Sequence, residues 1–158
     1  MTSHRVPEAQ ALLNTAFGAY LLATGINAAT KRAGRPLPFP SAFLILPLVL
    51  PPDARNDLPT RAVYSMSAWL TDHPQHQAAF AQRAVALADY TRASLRTGVR
   101  HAAIEVAATG LRCPRAPKSA STIESEEVAD CARRASLVGR WLAVVDPVLA
   151  FNLLGVRP

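Results

Sequence analysis

Arg92, Arg96 and Arg100 recur every four residues in a stretch that no internal proline interrupts. On a helix they share one stripe, opposite the face formed by Phe80, Leu87 and Leu95 at roughly 100° per residue. A short segment follows in which Arg112, Arg115 and Lys118 add three more cations. Six positive charges on a helix and an adjoining hairpin make an electrostatic footprint for a phosphate backbone. The plain alternative is a solvated helix face, and Asp89 shares the stripe.

Other reactive residue types assemble less chemistry. His73-Pro-Gln-His76 is the one closely spaced histidine pair, and Pro74 places it at a turn, where capping outweighs metal binding. No GxSxG, HExxH or Gly-rich phosphate loop occurs, and neither cysteine neighbours a credible base. Glu124, Glu126, Glu127 and Asp130 gather where a helix should begin, so they read as compensation of its dipole. No catalytic residue, cofactor or metal is expected. Cys113 and Cys131 have no CxxC spacing and read as reduced structural thiols.

Two tryptophans and the chain end offer a different use. Trp69 and Trp141 sit among apolar neighbours, where core packing is the default, yet Trp and Arg also dominate interface hot spots. Trp69, Arg140, Trp141, Val156 and Arg157 are therefore the candidate partner-contact residues. The last two belong to an apolar tail that would dock a partner if exposed.

These residues need elements to hold them. Pro7 to about Arg32 reads as a helix with a wide apolar face, stopped by Gly34. Residues 34–59 form a Pro-rich connector with seven of the 13 prolines. Its run Phe43 to Leu50 has strand composition, but Pro47 demotes it to an edge strand or a buried extended segment. A second helix spans Pro59 or Thr60 to Thr71, and a third runs from Pro74 to about Val99. Alternation about Glu105, then Ala-Ala-Thr-Gly, then Leu111 to Cys113 predicts a hairpin. Residues 114–122 are expected as a mobile loop. A helix from Ser121 or Thr122 to about Val145 and a short one after Asp146-Pro147 complete the chain.

The fold class is thus mainly α with a small β-hairpin, in one domain over 1–158. The element order fits a winged helix-turn-helix core with extra N- and C-terminal helices. Half of the residues are apolar and 18% are charged, so the chain can bury a core and is not disordered. Seventeen Lys and Arg against 11 Asp and Glu give a net charge of +6, which favours an acidic partner. No signal peptide or membrane span is evident, and a cytoplasmic location is expected.

Several segments taken in order resemble a known family: NTAFGAYLL, LPFPSAFLILPLVLP, YSMSAWLTDHP, FAQRAVALADYTRASLRTGVRHAAIEV, LVGRWLAVV and FNLLGVRP. Together they look like the middle component of bacterial three-component ABC-ATPase systems, over about Leu12 to Pro158. Asn14, Phe17, Gly18, Pro47, Trp69, Gly139, Arg140, Trp141, Gly155, Val156 and Arg157 match its pattern, and residues 114–122 resemble an insertion. The resemblance implies two partners, an ABC ATPase of the chromosome-maintenance or repair type and an effector, acting against phages or plasmids. It brings no catalytic residues. The expected role is a non-enzymatic adaptor, with a DNA-binding module or regulator using the basic helix and wing as the alternative.

Overall fold

Asn14 starts the first helix, its side chain accepting from the Phe17 N–H at 3.1 Å. The computed structural model describes residues 14–61 and 64–156, so the expected start at Pro7 lies outside the described residues. Helix α1, Thr15–Ala33, ends where Gly34 takes φ 71° and its N–H bonds Thr30 O. A left-handed residue there terminates the helix with little strain only if it is glycine. Leu21, Leu22, Ala23, Thr24, Gly25 and Ile26 are all buried, so more than a full turn of α1 is enclosed. Such a helix belongs at the centre of a fold.

The Pro-rich connector departs from the expectation. It is not extended: Phe39–Leu44 is a 3-10 turn, α2 covers Ile45–Val49 and α3 covers Pro52–Asp57. Pro47 is the third residue of α2, where a backbone N–H has no intrahelical partner to lose. All five residues of α2 are buried, and enclosure on every side removes the advantage of strand pairing. Leu37 pairs as an isolated bridge, exchanging two backbone hydrogen bonds with Leu111 at 2.9 and 2.7 Å.

Helix α4, Met66–Asp72, begins later than expected because Ser65 supplies the cap, accepting from Ala68 N–H at 3.1 Å. Helix α5, Pro74–Arg100, carries Pro74 at its first position, as expected. Strands β1, Glu105–Ala107, and β2, Gly110–Arg112, pair antiparallel with Val106 opposite Leu111. Within the expected loop 114–122, Ala120–Thr122 makes a 3-10 turn and the Lys118 carbonyl accepts from the Tyr20 hydroxyl at 2.8 Å. Helix α6, Glu126–Ala143, starts at a Ser125 cap, and α7, Pro147–Leu153, at an Asp146 cap.

Helix α1 packs along both α5 and α6, with α2 closing the gap between them. Gly25 and Gly139 meet where α1 crosses α6: a Cβ on Gly139 would sit against the Gly25 carbonyl, 2.8 Å from its carbon. The mainly α fold with one hairpin is therefore present. A winged helix-turn-helix core is not confirmed, and the main packing of α1 is on α6, the two long helices expected as additions to that core. Among the described residues no single helix is long and apolar enough to cross a membrane.

Candidate functional site

Helix α5 presents Arg92, Arg96 and Arg100 along one exposed stripe, with Phe80 and Leu95 buried on the other side. Arg92 is already engaged: it donates to Asp89 at 2.8 Å, and its guanidinium lies 5.8 Å from the Phe43 ring centre. Arg112 donates to Glu105, its cross-strand partner in the hairpin, at 3.0 Å. Among the described residues Arg96, Arg100, Arg115 and Lys118 make no ion pair. Lys118 belongs to a different surface, a cleft between α1 and α6.

Both tryptophans are enclosed. Trp69 is 4% exposed and donates its indole N–H to the Asp57 carbonyl at 2.9 Å. Trp141 is 2% exposed and donates to the Tyr64 carbonyl at 2.7 Å. Their rings lie 5.7 Å apart, and the imidazoles of His73 and His76 stack on Trp69 at 5.1 and 5.3 Å. Neither indole is offered to a partner directly. Each instead fixes the backbone of an exposed neighbour.

Sequence spacing gave no sign of the partner of His76, which lies 19 residues upstream. His76 Nε2 is 2.6 Å from the Asp57 carboxylate and Nδ1 is 3.5 Å from Arg83 Nη1. Arg83 in turn bonds Asp53. With Arg83 able only to donate, Nδ1 accepts and Nε2–H donates to Asp57. Both ring nitrogens are thus used, and the ring joins α3 to α5. A second network joins the connector to α6: Arg55 donates to the Val49 and Leu50 carbonyls, and Arg134 to those of Leu58 and Pro59. Both guanidiniums flank Asp130, at 3.5 and 3.3 Å. Part of the expected acidic cluster is therefore spent holding one buried and one half-buried arginine.

The thiols are equally committed. Cys113 donates to the Ala23 carbonyl at 3.2 Å, and burial pushes its pKa up to about 11. Burial also raises that of Cys131.

Two surface features stand out among the described residues. One is the cleft of about 720 Å³ between α1, α6 and residues 116–120, walled by Lys31, Arg32, Lys118, Arg133 and Arg140. It joins Lys118 and Arg140, expected on separate surfaces, with two cations of the last turn of α1. Those two carried no sequence signal beyond their fit to a helix C-terminus. The other is an apolar patch at the turn from α6 to α7, where Val144, Val148 and Leu149 are each more than half exposed. The tail beyond is tucked in: Leu154 is fully buried, Val156 is half-buried, and the Val156 N–H bonds Phe151 O at 2.9 Å. Arg157 lies outside the described residues.

Comparison with curated proteins and with solved structures finds no match. The family of ABC-three component (ABC-3C) system Middle Component 3 matches over residues 2–158, beginning ahead of the ordered segments that resemble it from about Leu12. A chain matched so completely belongs to that family, and the protein is a middle component of an ABC-three component system.

Proposed function

We propose that the protein is a non-enzymatic, cytoplasmic adaptor that couples the ABC ATPase of its system to an effector, in defence against phages or plasmids. The observation that carries this reading is the patch of Val144, Val148 and Leu149. Three apolar side chains stand in solvent on a frame that does not need them for its own core. The frame is stiff: α7 is capped by Asp146, Gln77 bonds the Leu153 carbonyl at 2.6 Å, and Leu154 anchors the tail. Apolar groups held rigidly bind with less ordering cost than mobile ones. Trp141 lies one turn before Val144, whose N–H donates to the Trp141 carbonyl at 3.3 Å.

Co-purification of the tagged full chain with the products of the neighbouring genes tests this reading, with washes at low and at high salt. An ATPase retained at both salts supports it, since apolar contacts resist salt. Retention of nucleic acid alone, lost at high salt and on reversing Arg96 and Arg100 to Glu, would refute it and favour a DNA-binding module.

A further inference from the structure

We propose that the basic cleft between α1 and α6, with the smaller pocket beside Tyr64, binds a nucleotide unit. Its phosphates occupy the cleft and its base lies against the Tyr64 ring. The pocket shares Val144 with the apolar patch of the adaptor reading, but that reading is tested at Val148 and Leu149, which line neither cavity.

Charge is the first argument. Five cations wall the cleft and no carboxylate does. Of these five, Arg133 is paired, with Glu126 at 2.6 Å and Asp130 at 3.9 Å. Among the described residues Lys31, Arg32, Lys118 and Arg140 have no ion-pair partner. Favourable dipoles explain Lys31, Arg32 and Arg140, which lie in the last turns of their helices. They do not explain why Lys118 and Arg133 converge on the same hollow, where like charges repel and the concave wall focuses the field. A multiply charged anion relieves that repulsion.

The chemistry of the walls selects among anions. The apolar residues in the cleft are Ala28, Ala116, Pro117 and Ala120, all small, so an acidic peptide would find no pocket for an anchoring side chain. Asn27 and Ser136 add neutral groups that can donate to phosphate oxygens. The adjoining pocket, about 320 Å³, shares Arg32 and Arg140 with the cleft and adds Tyr64, Met66, Trp141 and Val144. Tyr64 is 60% exposed, while its carbonyl is held by the Trp141 indole. An available aromatic ring beside clustered cations is what a base and its phosphates require. The nucleotide could be free or part of a single strand, because both present the same groups.

The test is calorimetric titration of the full chain with ATP, with inorganic triphosphate, with a short oligothymidylate and with poly-glutamate, at low salt. Arg32→Glu should weaken ATP or the oligonucleotide by at least about tenfold, since a charge-assisted contact is lost and a repulsion added. The double variant Gln75→Glu/Gln82→Glu changes net charge equally at two exposed positions of α5 outside both cavities and should leave binding within about twofold. Tyr64→Ala should cost roughly tenfold in nucleotide binding, the scale of one lost stacking contact, and leave triphosphate unchanged. ATP following this pattern assigns a free nucleotide, and the oligonucleotide alone following it assigns a strand. The proposal is overturned if none of the three phosphate ligands binds, if Gln75→Glu/Gln82→Glu weakens binding as much as Arg32→Glu, or if only poly-glutamate binds. Each variant's melting curve confirms that it folds.

Discussion

Replacing Gly139 by Ala should unfold the protein more easily although alanine is the better helix former. The crossing of α1 and α6 puts the Gly25 backbone where the new methyl would go: 2.8 Å from its carbonyl carbon and 3.0 Å from its Cα, with the carbonyl oxygen closer still. The obstacle is backbone, which cannot rotate aside as a side chain tip could. Opening the interface strains packing that also holds Ile26, Ala135 and Val138, all buried. Overpacking of this kind costs up to about 3 kcal/mol, and the helix-propensity gain of Gly to Ala returns about 1 kcal/mol. The net loss of about 2 kcal/mol corresponds to a fall in Tm of roughly 4–8 °C for a chain of this size. Gly34→Ala is the matched control, because nothing lies within 4 Å of its Cβ and only the φ of 71° is strained. It should lose about 1 kcal/mol. Thermal and urea unfolding followed by circular dichroism measure both. A Gly139→Ala protein as stable as the parent would refute the close helix crossing.

Asp130→Ala removes the carboxylate between Arg55 and Arg134 and leaves Arg55, whose side chain is 8% exposed, with only Glu127 at 3.7 Å. Breaking a buried pair costs 3–5 kcal/mol; with Asp130 itself 27% exposed, a loss of about 2 kcal/mol is expected in urea unfolding. Glu126→Ala breaks only an exposed pair with Arg133 and should change stability by less than about 1 kcal/mol. Cys113, with a pKa of about 11, should hold roughly a thousandth of its thiol ionised at pH 8 and react with Ellman's reagent only on unfolding. The native state keeps that proton after the unfolded chain, near pH 9, has lost it. Stability should therefore fall as pH rises from about 9 towards 11, and Cys113→Ala should flatten that fall.

Local signals in the sequence carried most of the elements. Pro74 opening α5, Gly34 ending α1 and the alternation about Glu105 each rest on backbone preferences that act within a few residues. The connector misled because Ile45–Val49 has strand composition, and its helical form depends on burial by elements distant in the chain. The pairing of α1 with α6 depends on Gly25 and Gly139, 114 positions apart in the chain. Placement of the arginine stripe followed from helical period alone. His76 with Asp57, and the gathering of Lys31, Arg32, Lys118 and Arg140 at one cleft, arise only when separate elements pack. Burial of both tryptophans moves any direct contact with a partner to the exposed residues they support.

The adaptor account is tested most directly by size-exclusion chromatography of the purified chain with the ABC ATPase of its own system. The parent chain should co-elute with the ATPase at low and high salt. A Val148→Asp/Leu149→Asp variant with an unchanged melting curve should elute separately. Co-elution of that variant as fully as the parent, or separate elution of the parent at both salts, would contradict the account.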